Sequence, residues 1–339
     1  MLLKPSVELP RYSSDSEGIG YSLVIPVYRN EENISDLVAV LNELERAVAG
    51  LEVVFVVDGS PDRSAEFLAR ALSDVAFDWQ LVELSRNFGA YSAIRQGLAL
   101  ARGKWMAVTA ADLQEPLELI TQFFCKLDRG ECDLVVGVRR GRADPPLTRF
   151  FSRLYWWLYR RLIMRQIPAG GVDVFGCNRA FCDALLSLEE RETSLIGQLF
   201  WLGFRREEVA YERRPRSAGK SAWKFGRRFR YMLDSVFAFS DLPISLLLWI
   251  GAIGIVVSSV LAGAVVIAWL SGNIEVRGYV PIMLAITFFG SILILGQGIL
   301  GCYLWRISEN AKRRPLAVIL SHRSGPLRQR QTVTEKQVT

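Results

Sequence analysis

The sequence predicts an α/β domain built on a doubly wound, mostly parallel sheet, tied to a membrane by a C-terminal hairpin of two helices. Three observations carry this. Short β-type apolar runs alternate with helix-period segments from Tyr21 to Val138. Several of those runs stop at polar, turn-forming strings. From Ile244 the composition switches to two long stretches without charge.

The elements follow in order. Tyr21–Tyr28 is a β-type run ending in a turn, and Asn33 to Val48 has helical spacing, with Asn33 as its expected cap and Asp36 at the third position. Leu51–Val57 is almost continuously apolar, as a strand covered on both faces should be. It stops at Asp58-Gly59-Ser60-Pro61-Asp62, and Ser64 to Leu72 is helical. Gln80–Leu84 is a third strand, Tyr91–Ala101 a helix, and Lys104–Thr109 a fourth strand ending at Ala110-Ala111-Asp112. Leu117–Leu127 is helical and Asp133–Val138 a fifth strand.

Ile244–Leu270 and Gly278–Leu304 contain no charged residue, and each is longer than the ~20 residues that cross a bilayer as a helix. Arg227, Arg228 and Arg230 precede the first run; Arg306, Lys312, Arg313 and Arg314 follow the second. The loop between them has one arginine, so the positive-inside rule puts both chain ends in the cytoplasm. The aromatic and basic stretch Trp223–Ser240 reads as a helix lying in the interface. The expected division is a flexible segment 1–20, an α/β domain 21–222, an interfacial helix 223–243, spans 244–270 and 278–304 around a non-cytoplasmic loop 271–277, and a basic, partly disordered tail 305–339. Within the tail, Leu316–Leu320 is apolar enough for a strand, on its own domain or on a neighbouring subunit, and a homo-oligomer is expected.

The formal net charge of +6 calls for an anionic partner. The basic residues crowd against the apolar segments, which favours lipid headgroups or phosphorylated substrates over nucleic acid. The five cysteines form no C-x-x-C pair, as expected of buried thiols in a reducing compartment. The single histidine, His322, lies in the tail, which disfavours a Ser-His-Asp triad or a histidine-bound metal. No signal peptide is expected at the start.

In doubly wound sheets ligands bind beyond the carboxyl ends of the strands. Three such ends are polar here: Arg29-Asn30-Glu31-Glu32, Asp58-Gly59-Ser60 and Asp112-Leu113-Gln114-Glu115. Neither G-x-G-x-x-G nor G-x-x-x-x-G-K-[ST] occurs, so dinucleotide-binding and P-loop chemistry are disfavoured. Carboxylates at strand ends suit a divalent cation held jointly with substrate phosphates.

Taken in order, these strings resemble the glycosyltransferase family 2 enzymes with a GT-A fold. Within them they are similar to the polyprenyl-phosphate glycosyltransferases, the group of dolichyl-phosphate mannose synthase and the bacterial undecaprenyl-phosphate enzymes. The resemblance runs from about Tyr21 to Pro315. It rests on Ile25-Pro26-Val27-Tyr28-Arg29-Asn30-Glu31-Glu32, Val57-Asp58-Gly59-Ser60-Pro61-Asp62, Ser85-Arg86-Asn87-Phe88-Gly89 and Ala111-Asp112-Leu113-Gln114-Glu115-Pro116. It continues through Gly137-x-Arg139-x-x-Arg142, Gly171-Val172-Asp173, Trp201-x-x-Phe204, Tyr211-x-Arg213-x-x-Arg216-x-x-Gly219-x-Ser221 and Phe239-Ser240-Asp241-Leu242-Pro243.

The resemblance implies a membrane-bound, inverting enzyme of the bacterial inner membrane that moves a sugar from a nucleotide diphosphate to a polyprenyl phosphate. By its bacterial members it implies uridine as the nucleoside. It implies Pro26, Tyr28, Glu31, Asp58, Ser60, Arg86 and Asp112 for the nucleotide sugar, and Asp112 with Gln114 for Mg²⁺ or Mn²⁺. Arg139, Arg142, Arg213, Arg216 and Ser221 are implied for the acceptor phosphate, and Asp112 and Asp173 as the catalytic aspartates. Two departures stand out. The family's Asp-Ala-Asp-Leu-Gln-Asp reads Ala110-Ala111-Asp112-Leu113-Gln114-Glu115 here, and Val174-Phe175-Gly176-Cys177-Asn178-Arg179 replaces the usual Phe-Arg-Leu-Leu-Asp-Arg. They leave a weakened enzyme or a non-enzymatic scaffold as the rival from another class. A polysaccharide synthase is the second rival; it needs more spans and a Gln-x-x-Arg-Trp string, and Gln198-Leu-Phe-Trp201 lacks the arginine.

Overall fold

The computed structural model describes residues 19–48, 50–139, 166–168, 172–190, 193–214 and 278–325, with scattered positions from 247 to 271. Its strands are β1 (Tyr21–Val27), β2 (Leu51–Val57), β3 (Asp78–Leu84), β4 (Trp105–Val108), β5 (Leu134–Arg139), β6 (Phe175–Asn178), β7 (Arg206–Tyr211) and β8 (Ile319–Ser324). Its helices are α1 (Ile34–Val48), α2 (Ser64–Ala71), α3 (Ala90–Leu100), α4 (Leu117–Asp128), α5 (Arg179–Ser187), α6 (Leu195–Trp201) and α7 (Tyr279–Ala311).

All eight strands join one sheet in the order β7-β5-β6-β4-β1-β2-β3-β8. β3, β2, β1 and β4 run parallel, each reached from the last through a helix. β6 lies antiparallel between β4 and β5, and β7 runs parallel to β5. β1 therefore sits where the winding reverses, between β2 on one side and β4 on the other. That is the topological switch point, where a crevice opens beyond the carboxyl ends of the strands.

The two-sided burial expected for β2 is realised, since all seven of its residues are buried. Side chains alternate between two cores, as a period of two demands. Val53, Phe55 and Val57 join Tyr21, Leu23 and Ile25 against α1, α2 and α4. Val54 and Val56 join Val24, Met106 and Val136 against α3, α5 and α6. Asn33, expected as a helix cap, is instead the buried last residue of a 3₁₀ turn, Glu31–Asn33, that leads into α1.

The tail departs from expectation in position. The strand begins at Ile319 rather than Leu316, and it pairs antiparallel with β3 of its own domain, Leu84 opposite Ile319 and Gln80 opposite Ser324. Its polar residues explain the register. Ser321 Oγ and Arg323 Nη2 both donate to Glu83 Oε1, at 2.8 and 2.7 Å. His322, the single histidine of the polar tail, lies with Nε2 2.8 Å from Gln80 Oε1. Gln80 in turn donates to Glu52, a fully buried carboxylate that also takes hydrogen bonds from Ser22 and Arg102. A buried charge held by that many donors locks the amino-terminal end of the sheet.

The described residues alone do not make a helix long and apolar enough to cross a membrane. The predicted span 244–270 falls largely outside them, and the interfacial helix 223–243 lies wholly outside them. The predicted span 278–304 coincides with most of α7. That helix has 33 residues, ~50 Å at 1.5 Å per residue, and over its full sequence the first charge is Arg306. Ile282, Ile286, Leu293, Leu300 and Leu304 are exposed along it.

Candidate active site

The loops after β1 and β2 are laced together by short side chains. Arg29 N donates to Ser60 Oγ at 2.8 Å, Asn30 N to Ser64 Oγ at 3.1 Å and Glu31 N to Asp62 Oδ2 at 3.2 Å. Glu31 Oε2 accepts from Arg63 N at 2.9 Å. Asp62 is the hub, accepting also from the hydroxyls of Ser60 and Ser64 at 2.5 and 2.7 Å. Burial pushes the Asp62 carboxyl up, but these donors outweigh it and hold the group below the usual carboxylate range. Arg29 takes a left-handed φ of 57°, the kind of strain that surrounding bonds must impose on a non-glycine residue. Tyr28, at the end of β1, is exposed at the crevice with the Arg29 guanidinium 5.4 Å from its ring centre.

Asp58 has a bracing role in the described geometry. Its two carboxylate oxygens accept from Phe88 N at 2.7 Å and Gly89 N at 2.8 Å, which pins the loop after β3. Burial raises its pKa; those two N–H groups and the nearby Arg86 offset only part of the rise. The turn needs its glycines. Gly59 has φ 54°, and a Cβ there would lie 2.2 Å from the carbonyl carbon of Arg86; Gly89 has φ 94°. Arg86 stacks over Phe88, its guanidinium carbon 4.0 Å from the ring centre. Glu31, Asp58, Ser60 and Arg86 thus lie on the adjoining loops after β1, β2 and β3; Tyr28 directly follows β1, and Pro26 is the strand's second-last residue.

The second cluster lies across the switch point, beyond β4, β5 and β7. Leu113 has a left-handed φ of 55°, between Asp112 and Gln114. The chain after β7 is zipped to this motif: Arg214 N donates to Gln114 O at 2.8 Å, and Gln114 Nε2 to Arg214 O at 3.3 Å. That places Arg213 Nη2 3.8 Å from Asp112 Oδ2 and its Nε 3.5 Å from Glu115 Oε1. Beside them Arg139 makes a close ion pair with Asp173. Arg139 stands opposite Tyr211 in the β5–β7 register.

Electrostatics mark the same cluster. Burial, with Asp112 adding to it, pushes Glu115 up to about 7, against the opposing pull of Arg213. Burial, with Asp173 adding to it, pushes the Tyr211 phenol up to about 12. Among the described residues, neither oxygen of Glu115 has a hydrogen-bond partner. Perturbed groups gathered at a cleft are what a functional site looks like. Glu115, Tyr211 and Asp62 were not among the expected site residues. The Ser60-x-Asp62-x-Ser64 spacing, typical of local side-chain turns, was the available signal for Asp62. Arg142, Arg216 and Ser221 lie outside the described residues.

A divalent cation would meet oxygen donors here: two buried carboxylates, Asp112 and Glu115, and the amide of Gln114. Among the described residues no group of three or more His, Cys, Asp or Glu forms a cage. The set fits a hard ion that draws most of its ligands from substrate phosphates and water.

A sheet of this order, with acids and guanidinium groups meeting at its carboxyl edge, is a doubly wound α/β fold with a charged site at its strand ends. A model of glycosyl transferase family 2 matches residues 22–187. An uncharacterised glycosyltransferase of Synechocystis sp. is 31% identical over 303 residues, 89% of this chain and 95% of the relative. A prophage-derived bactoprenol glucosyl transferase of Shigella flexneri is 31% identical over 311 residues, 90% of this chain and 99% of the relative. Among solved structures, a mannosyltransferase from Pyrobaculum calidifontis in complex with GDP-Man and Mn²⁺ is 18% identical, covers 69% of this chain and 64% of its own, and aligns with a TM-score of 0.45. The chain belongs to glycosyl transferase family 2, and its α/β sheet is the Rossmann-like GT-A fold of that family. It is a glycosyltransferase.

Proposed function

We propose that this glycosyltransferase moves a sugar from a nucleoside diphosphate, a UDP-sugar, to a polyprenyl phosphate at the cytoplasmic face of the bacterial inner membrane. The observation that carries this reading is the arrangement at one sheet edge of Asp112 and Glu115 beside Arg213, and of Asp173 beside Arg139. Carboxylates there suit the cation of a diphosphate, and planar guanidinium groups suit an acceptor phosphate. Relatives named bactoprenol glucosyl transferases support the polyprenyl acceptor.

In this scheme an oxygen of the acceptor phosphate attacks the anomeric carbon. The bond to the nucleoside diphosphate breaks, and the configuration inverts. A phosphate monoester has a second pKa of about 6, so the nucleophile is mostly deprotonated at neutral pH and needs no histidine. Asp112 and Gln114 would hold Mg²⁺ or Mn²⁺, which would supply neutralisation of the charge on the departing diphosphate. The chain's own groups do the positioning. Asp58 holds the Ser85–Gly89 loop, the Asp62 network holds the Tyr28–Glu31 turn, and Arg139, oriented by Asp173, receives the acceptor phosphate.

The membrane hairpin, 244–270 and 278–304 with both termini cytoplasmic, belongs to the same proposal. Its support is the charge-free length of both runs and the arginines flanking them. β8, which follows α7, meets β3 at Leu84, the carboxyl end of that strand. The chain arriving from α7 therefore joins the sheet at the edge that carries the site. A lipid phosphate held at the bilayer surface would then face the strand ends without leaving the membrane.

Purified full-length protein in detergent, given UDP-glucose, undecaprenyl phosphate and Mg²⁺ or Mn²⁺, is expected to form a glycosylated lipid that mass spectrometry identifies. Failure with every UDP- and GDP-sugar tested, while donor binding is retained, would count against the polyprenyl acceptor.

A further inference from the structure

The two arginines of the second cluster are held differently. Arg139 is in a close pair with Asp173, and its side chain is mostly covered. Arg213 reaches in from the rim and touches two acids at long range, 3.8 Å to Asp112 and 3.5 Å to Glu115. Its backbone is fixed next door by the Arg214–Gln114 hydrogen bonds, so its side chain can swing about an anchored Cα. The contacts place its positive charge against the carboxylates that a divalent ion would use.

We propose that Arg213 is an internal counter-ion that occupies the cation position until the divalent ion arrives, and is then displaced towards the acceptor phosphate. This rests on the glycosyltransferase reading above and adds an order to it. A buried carboxylate, when ionised, needs a neutralising charge beside it, and Arg213 is the cation that approaches Asp112 and Glu115 here. A divalent ion and a guanidinium side by side on one carboxylate repel each other, so the ion's arrival drives Arg213 off. The freed fork is suited to bidentate phosphate binding. Donor and ion therefore bind first, and they create the acceptor's phosphate site.

The test needs no turnover. Mn²⁺ binding to the full chain in detergent is followed by electron paramagnetic resonance, with and without UDP. Without nucleotide, Arg213→Gln is expected to bind Mn²⁺ ~10-fold more tightly than wild type, and Arg213→Lys, which keeps the charge, within ~2-fold. In wild type, Mn²⁺ with UDP is expected to speed phenylglyoxal modification of Arg213, mapped by peptide mass, and inorganic phosphate to slow it again. An Arg213→Gln affinity equal to or weaker than wild type overturns the counter-ion role. A modification rate unchanged or lowered by Mn²⁺ with UDP overturns it in the unaltered protein, independently of how the variant folds. If Mn²⁺ binds neither wild type nor variant even with UDP, the metal reading of the site falls as well.

Discussion

The backbone N–H of Ser85 donates to the carbonyl of Val318 at 2.9 Å. Ser85 opens the loop that Asp58 braces at Phe88 and Gly89, and Val318 immediately precedes β8. The segment leaving α7 is therefore bonded directly to the loop after β3, on the side of the crevice proposed for the donor. Ser321 and Arg323 secure it through Glu83, although Arg323 is about half exposed, so their joint worth after screening is on the order of 1 kcal/mol. The double variant Ser321→Ala, Arg323→Ala is expected to raise KM for the nucleotide sugar ~3-fold and leave kcat within ~2-fold. Steady-state kinetics with donor varied at saturating acceptor separates the two. An unchanged KM would reduce the strand to a tether.

Asp112 is the buried carboxylate that Arg213 approaches, and the one proposed to hold the cation of the donor. Asp112→Asn preserves shape but removes the charge that holds a cation. The expected loss is ~10²–10³ in kcat, the usual cost of removing one electrostatic contributor to a charged transition state. Activity of the variant is also expected to lose its dependence on added Mg²⁺ or Mn²⁺. Titrating the metal against rate in both proteins checks this, and retained metal dependence would move the ion to other ligands.

Nearly continuous hydrophobicity made β2 legible, because Leu51–Val57 is apolar on both faces apart from Glu52, as suits a fully covered strand. β8 was less legible. Ile319–Ser324 is mostly polar and exposed, and only the distant partners Gln80 and Glu83 fix its bounds. The same holds at the site. Asp58 stands out as a polar strand end, but its two donors lie on another loop, so its bracing of Phe88 and Gly89 is a tertiary fact. Glu115 stood out as the last residue of a polar strand end and as a departure from the family's string. Its burial depends on Asp112, Arg213 and the packing of α4, which no local pattern encodes.

Glu115 gives a pH dependence with a definite sign. Its folded pKa of about 7 lies above the ordinary glutamate value of 4.5. Between those values the folded protein holds a proton that the unfolded chain has released. The stability it contributes is thus full below about pH 4.5 and is lost as pH rises through 7. The loss amounts to a few kcal/mol at most, because each pH step of one between the two values is worth about 1.4 kcal/mol. Glu115→Gln, which stays neutral, is expected to melt close to wild type at pH 5 and clearly higher at pH 8, without added metal. Thermal unfolding of both proteins across that range reads the difference. A constant gap would mean that Glu115 is already ionised in the folded chain.

Arg139 and Asp173 make opposite predictions for the acceptor, and the contrast tests their division of labour. Arg139 is held by Asp173 at the edge where β5 ends, opposite Tyr211. Replacing it with lysine keeps a charge but loses the planar fork that binds phosphate through two N–H groups. Arg139→Lys is expected to raise KM for polyprenyl phosphate ~10-fold and leave UDP affinity within ~2-fold, because the Asp58 and Asp62 networks are untouched. Asp173→Asn removes a competitor for the same guanidinium. Phosphate then meets less opposing charge, so KM for the acceptor is expected to hold or fall. Arg139 also loses the partner that orients it, so kcat is expected to drop ~10²-fold as the nucleophile loses its aim. Kinetics with acceptor varied at saturating donor distinguishes a KM effect from a kcat effect. A rise of acceptor KM in both variants would show that Asp173 and Arg139 bind the phosphate site as a unit, rather than one aiming the other.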